Sequence, residues 1–308
     1  MKILNVHVAV ADSARLYFDY LIRNFRHTAK HPSRLFFFCY ALDPQVQAAF
    51  ESDPRLSGCY PVYEMRGAYR LKTLHEWKVY LRAKISGRSA LGGSNGHAAG
   101  LNRVMKALPT LAGHHVLADS DVAMLMRDWD EVIEQQFEDW QLIGTPYEDI
   151  GGFSSGNSKV QTYKRFPNPI WMAVREDCDL TELDWMPAKQ ENIRIDSEAK
   201  SELYGLPQAY ELVRDVGWRL PSYCQSRGIK AKAMSQIKPS SPDVQVLKTE
   251  RDYNEEYQLD GKAFVGHQRG GSRHQFRQTD VSTEFYNCVE GAVGLPSEPV
   301  LEPVKGRS

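Results

Sequence analysis

The sequence predicts a layered α/β fold with a mostly parallel central sheet and a less regular C-terminal part. Three observations carry this. Short apolar runs alternate with segments whose apolar residues recur at helical spacing, as in parallel strands joined by crossover helices. Runs such as "RLFFFCYAL" are nearly continuous in apolar residues, as in strands covered on both faces. The 308 residues suffice for one large domain of this kind or two small ones.

The elements follow in order. "ILNVHVAVA" (3–11) reads as the first strand. "SARLYFDYLIRNFRHTAK" (13–30) reads as a helix, with Leu16, Phe18, Leu21, Ile22 and Phe25 on one face and Asp12 or Ser13 as N-cap. Residues 34–42 form the second strand, and 44–52 a short helix with Pro44 in its first turn. "GCYPVYEM" (58–65) is a third strand, irregular or at an edge because of Pro61. A helix over 97–111 leads into a strand that ends at Asp119, and an acidic amphipathic helix is expected over 129–140. Residues 141–158 run from a strand into a Gly/Ser-rich loop. Residues 205–228 read as a helix pair broken near Gly217 and Pro221, and 236–243 as a linker or turn. The expected division is 1–235 as one ligand-binding domain and 236–294 as a C-terminal segment packed on it. Residues 295–308 are a Pro-rich flexible tail.

A formal net charge of −1 gives no overall bias toward nucleic acid or anionic membranes. The five cysteines are odd in number and none form a Cys-x-x-Cys pair, which argues for a reducing compartment over a disulfide framework. No apolar run approaches the ~18 residues of a membrane span. The N-terminus reads as a strand, not a signal peptide, so a cytoplasmic protein is expected.

"HHVLADSDVAML" (114–125) carries the chemistry. An apolar strand delivers Asp119 and Asp121 to one short loop. Alternate residues of an extended segment point the same way, so both carboxylates can share one site. Ionised carboxylates are costly to bury without a cation or donors, and two together suit a hard divalent ion. The competing reading is an ordinary Asp turn or helix cap.

The block "GGSNGHAAGLNRVMKALPTLAGHHVLADSDVAML" (92–125), with Ala98, Ala99, Asn102 and Ala107 before the Asp-x-Asp, resembles the nucleotide-sugar glycosyltransferases of the GT-A (Rossmann-like) fold. The likeness is tightest over 92–125 and looser over 1–235. It implies that Asp119 faces the ribose and nucleotide, and that Asp121 binds a Mn²⁺ or Mg²⁺ bridging the diphosphate. Such enzymes also use a late His as a further metal ligand, followed by a basic loop over the diphosphate. His267, in "FVGHQRGGSRHQFR" (264–277), fits that place, with Arg269 and Arg273 as diphosphate partners. The metal ligands implied are therefore Asp119, Asp121 and His267. The cationic neighbours of His267 are expected to keep its imidazole neutral.

The base and ribose are expected at Ala9, Val10, Ala11, Asp12 and Asp43, with Asn102 also on the donor side. Asp12 as a simple N-cap and Asp43 as a turn residue is the alternative. A UDP-sugar is the favoured donor. For a catalytic base, Asp215 in "RDVGWRL" is preferred and Glu211 is next, with Glu148 and Asp149 also weighed. Tyr147, Trp171 and Trp185 are either acceptor-pocket or core aromatics. "RGAYRLKTLHEWKVYLRAKISGR" (66–88) holds seven Lys/Arg against the single acid Glu76. It is either a solvated face or a track for a polyanionic acceptor such as DNA with hydroxymethylated bases, an anionic lipid or a glycan. Two other functions are kept: a nucleotidyltransferase, disfavoured because "AVADSARLYF" lacks a Gly-rich loop, and a non-catalytic nucleic-acid- or carbohydrate-binding protein.

Overall fold

A computed structural model describes residues 2–10, 18–39, 44–61, 93–147, 158–160, 163, 165–188, 191–204, 208–212, 214–249, 254–268 and 279–296. The architecture is mixed α/β. Among the described residues its main sheet has seven strands: β1 (Leu4–Val10), β2 (Arg34–Cys39), β3 (Gly58–Pro61), β4 (His114–Asp119), β6 (Leu142–Pro146), β8 (Pro167–Val174) and β11 (Ala231–Ala233). Their spatial order is β11-β6-β8-β4-β1-β2-β3. All neighbours are parallel except where β8 runs antiparallel to β4 and β6.

The α-helices among the described residues are α1 (Phe18–Thr28), α2 (Pro44–Glu51), α3 (Gly93–Ala107), α4 (Trp129–Gln136), α5 (Glu198–Tyr204), α6 (Leu220–Arg227) and α7 (Thr279–Val293). Alternation of side chains along β1 and β4 feeds two cores. Val6, Val8, Val116 and Ala118 face α1, where Leu21, Ile22 and Phe25 pack. Ala9 and Leu117 face α3, through Ala98, Leu101, Val104 and Met105. Each fully buried Leu, Val or Phe here is worth roughly 1.5–3 kcal/mol over exposure.

A second, antiparallel sheet has the order β12-β13-β14-β5: β12 (Ser235–Ile237), β13 (Asn254–Leu259), β14 (Lys262–Gln268) and β5 (Val122–Met124). It fuses to the main core, because Phe264 meets Trp171 edge-to-face with centroids 5.4 Å apart. Tyr257, Leu259 and Val265 join the same cluster as the β1 valines. A three-stranded sheet, β7 (Ser158–Val160), β10 (Ala209–Leu212) and β9 (Glu191–Arg194), has the order β7-β10-β9.

Several expectations change. Among the described residues of 205–228 the expected helix pair is not seen: Ala209–Leu212 is strand β10, and only Leu220–Arg227 is helical. β10 gains ladder partners on both sides, β7 and β9, which a helix there would forgo. The expected linker 236–243 begins inside β12. The C-terminal part is more regular than expected, with a β-hairpin and the 15-residue helix α7. The 129–140 helix stops at Gln136. Among the described residues no helix is long and apolar enough to cross a membrane. Cys178, Cys224 and Cys288 are free thiols. The basic segment 66–88, the Gly/Ser loop after Tyr147 as far as 157, and the tail from 297 lie outside the described residues.

Candidate metal centre

β1 pairs β2 on one side and β4 on the other, so the chain reverses its direction of travel across the sheet between β1 and β4. Crevices at such reversals, beyond the carboxyl ends of the strands, are where ligands collect in open α/β sheets. Asp119 closes β4 at that end, in register with Ala9 of β1. Ser120 and Asp121 make the turn, and β5 leaves in the second sheet. Asn24 of α1 anchors β5: its Oδ1 accepts from Met124 N at 2.7 Å, and its amide donates to Met124 O at 3.0 Å.

That handover between sheets brings His267 to the site. β14 pairs β5 with His267 opposite Val122. Gln268 N donates to Asp121 O at 2.9 Å. One ligand atom each from Asp119, Asp121 and His267 then lies within 4.8 Å of the others. His267 Nε2 is 3.5 Å from Asp121 Oδ1. On the far side of the ring, Nδ1 is 3.2 Å from Glu255 Oε2, which also accepts from the Tyr257 hydroxyl at 2.7 Å. On the opposite flank, His97 of α3 sets Nε2 3.4 Å from Asp119 Oδ1, and its ring stacks on Phe38.

Asp215 lies close enough to act electrostatically on both Asp119 and His97. A tightly built turn holds it. Asp215 N donates to the Tyr163 hydroxyl at 2.7 Å, and Tyr147 donates its hydroxyl to Val216 O. Gly217 N donates to Trp185 O at 3.1 Å. Gly217 adopts φ +75°, and a Cβ there would lie 2.5 Å from the Tyr147 hydroxyl. Only glycine serves this turn without strain.

The electrostatics suit a cation. Burial, and next the Asp121 charge, push the Asp119 carboxyl well above the carboxylate range. Two carboxylates this close resist joint ionisation unless a cation sits between them. His267 departs from expectation. Burial opposes its charge, but Asp121 and Glu255 outweigh that and raise it to about 10. Its described partners are thus acidic where cationic ones were expected, because β13 sets Glu255 opposite it. His97 goes the other way: burial lowers it to about 4, against the pull of Asp215 and Asp121. Two carboxylate oxygens and an imidazole nitrogen fit a divalent ion that accepts mixed O/N ligands, with its other positions left to water or phosphate. The carboxylate behind the imidazole is the usual support of a metal-bound His.

The other predicted residues are distributed as follows. Ala9 and Val10 lie buried at the carboxyl end of β1, beside Asp119. Asn102 on α3 accepts from Trp185 N at 3.1 Å and faces Asp184 Oδ1 at 3.4 Å, so its amide pins the 184–185 segment. Glu211 is on β10, opposite Lys159 and Asn192. Ala11, Asp12, Asp43, Glu148, Asp149, Arg269 and Arg273 lie outside the described residues. Trp171 and Trp185 are fully buried core. His97, Glu255 and Tyr257 were not among the predicted site residues. Glu255 and Tyr257 alternate along "NEEYQL" and so share a face, but only the pairing with β14 makes that face part of the site.

No protein-family model and no curated protein matches the sequence. Solved structures similar to the chain include GT-A-type glycosyltransferases. S. aureus TarS 1-349 is 14% identical over 57% of this chain and 47% of its own, with a TM-score of 0.32. Mouse xyloside xylosyltransferase 1 is 11% identical over 59% of this chain and 70% of its own, with a TM-score of 0.30. They also include a 4-diphosphocytidyl-2C-methyl-D-erythritol synthase from Anaerococcus prevotii, 10% identical over 70% of this chain and 88% of its own, with a TM-score of 0.32. The chain thus spans under half the length of the TarS chain it matches.

Proposed function

We propose that the chain is a metal-dependent glycosyltransferase that moves a sugar from a nucleotide-sugar, a UDP-sugar favoured, to an acceptor. The observation that carries this is the Asp119–Asp121–His267 cluster at the sheet's point of reversal, with Asp215 in electrostatic reach. Asp119, Asp121 and His267 hold the cation. The imidazole among the ligands favours Mn²⁺ over Mg²⁺. When bound, the cation neutralises charge developing on the departing diphosphate.

The chain's own residues do the rest. Ala9, Val10, Ala11, Asp12 and Asp43 receive the base and ribose, and Asp119 turns toward the ribose. Asn102 supports the donor side by fixing the segment that carries Trp185. Arg269 and Arg273 hold the diphosphate oxygens. Asp215, on its rigid turn, accepts the acceptor's proton, and Glu211 is the next candidate. Residues 1–235 carry the donor and acceptor sites, 236–294 supply His267 and the basic loop, and 295–308 form a tail. The acceptor is a glycan, a lipid or a hydroxymethylated DNA base reached through the basic segment 66–88, and the setting is cytoplasmic.

The test is release of nucleoside diphosphate from a panel of nucleotide-sugars, with and without Mn²⁺. Mn²⁺-dependent release that Asp121→Ala removes is expected. Release from none of them, or release unaffected by chelation and by Asp121→Ala, would overturn the reading.

A further inference from the structure

Beyond the three ligand side chains, the structure carries a buried support for one of them. Glu255 and Tyr257 alternate along β13, and β13 pairs β14 so that Glu255 lies directly opposite His267. Glu255 is 3% exposed, and buried acids persist only when their oxygens are engaged. One oxygen, Oε2, takes both the Tyr257 hydroxyl at 2.7 Å and the His267 ring at 3.2 Å. Tyr257 is itself fully buried in the core shared by the two sheets. The chain Tyr257–Glu255–His267–Asp121 is therefore anchored in the fold at one end and open to the metal cluster at the other.

We infer that Glu255 is the positioning residue of this metal centre: it holds His267 Nδ1, turns Nε2 toward Asp121, and adds the third carboxylate of the site. The inference rests on the metal-site reading above and deepens it. Three features support it on geometry. A carboxylate hydrogen-bonded to Nδ1 places the proton there and leaves the Nε2 lone pair for coordination. The Tyr257 hydroxyl fixes the Glu255 rotamer, so the ring orientation is set before any ligand arrives. The third carboxylate also strengthens the negative field of the cluster, which favours a dication over a monovalent ion. Neighbouring Glu256 has a different task. It accepts from the backbone N–H groups of Gln245, Val246 and Leu247 and holds the preceding loop. The "EE" pair thus divides between a structural acid and a site acid, one on each face of the strand.

The experiment is a Mn²⁺ titration of the full chain by EPR of free Mn²⁺, with pulsed EPR detecting the nitrogen coupled to bound Mn²⁺. Wild type, Glu255→Gln and Asp121→Ala are compared, and melting temperatures are taken without metal. Glu255→Gln keeps the shape and removes the charge. A Kd raised by about 10–100-fold, with weakened nitrogen coupling and a metal-free melting temperature near wild type, is expected. An unchanged Kd and coupling in Glu255→Gln, while Asp121→Ala loses binding, overturns the positioning role and leaves the metal site standing. A wild type that binds no Mn²⁺ overturns the metal reading, and the inference with it. If Glu255→Gln fails to fold, Tyr257→Phe is the test. A raised Kd supports the role, and an unchanged one overturns it.

Discussion

The two flanks of the carboxylate pair treat a buried histidine in opposite ways. On the α3 flank, His97 is backed by the Phe38 ring and sinks to about 4. On the hairpin flank, His267 is backed by Glu255 and rises to about 10. Both imidazoles lie within 3.5 Å of an aspartate oxygen. At His267 the Asp121 charge, with Glu255 added behind the ring, outweighs burial, whereas at His97 burial outweighs the pull of Asp215 and Asp121. At His97 the ring stays neutral beside Asp119. At His267 the acidic setting would favour a cation, with a metal and a proton competing for the same nitrogen. The parallel layer contributes Asp119, and the antiparallel hairpin contributes His267 with Glu255 behind it.

The largest expected effect lies between the flanks. Asp121→Ala should cost at least about 10²-fold in Mn²⁺-dependent turnover, the scale of losing a main electrostatic stabiliser, with the fold intact. Activity assays and circular dichroism check this, and full activity would remove Asp121 from the site. Next, Asp215→Asn should lower kcat by about 10²–10⁴-fold if it is the base. Gly217→Ala should disturb the same turn and cost about 1–3 kcal/mol of stability, read by denaturant unfolding. Wild-type kcat in Asp215→Asn at every pH would move the role to Glu211.

A paired measurement separates the two histidines. His267→Ala should weaken Mn²⁺ binding far more than His97→Ala, by calorimetric titration. Equal losses would contradict this difference. The smallest effect is on stability against pH. His115, buried beside His7 at 3.3 Å on the α3 face, is lowered from 6.5 to about 4 by burial first and then by the His114 and Arg34 charges. Its folded form resists protonation, so it contributes stability above pH 6.5 that is lost as pH falls through about 4. His115→Asn should flatten the acid limb of a urea midpoint–pH profile, and an unchanged limb would contradict this. In the metal-free protein His267 has the opposite sign: its contribution is full below 6.5 and fades as pH rises through about 10.

The parallel layer was legible in the sequence because each strand is local. The apolar run ending at Asp119 and the helical spacing of Leu21, Ile22 and Phe25 need no distant partner to be read. His267 was legible only through resemblance, since its place depends on pairing with a strand that follows Asp121. Glu255 was not legible at all. An acid in "NEEYQL" looks solvated until β13 and β14 close over it, and the acidic surroundings of His267 follow from the same pairing. Strand β10 was misread as helix because "AYELVRD" carries helix formers, and its two ladder partners lie elsewhere in the sequence.

Asp119, Asp121 and His267 are proposed to form a divalent-metal site serving a nucleotide-sugar. Its most direct test is thermal stabilisation by nucleotide-sugars measured with and without Mn²⁺. A specific donor at a hundred times its Kd should add about 2.7 kcal/mol, raising the melting temperature. At least one nucleotide-sugar, a UDP-sugar first, is expected to stabilise only when Mn²⁺ is present, and Asp121→Ala is expected to lose this shift. Identical melting curves with and without Mn²⁺ for every nucleotide-sugar would contradict it.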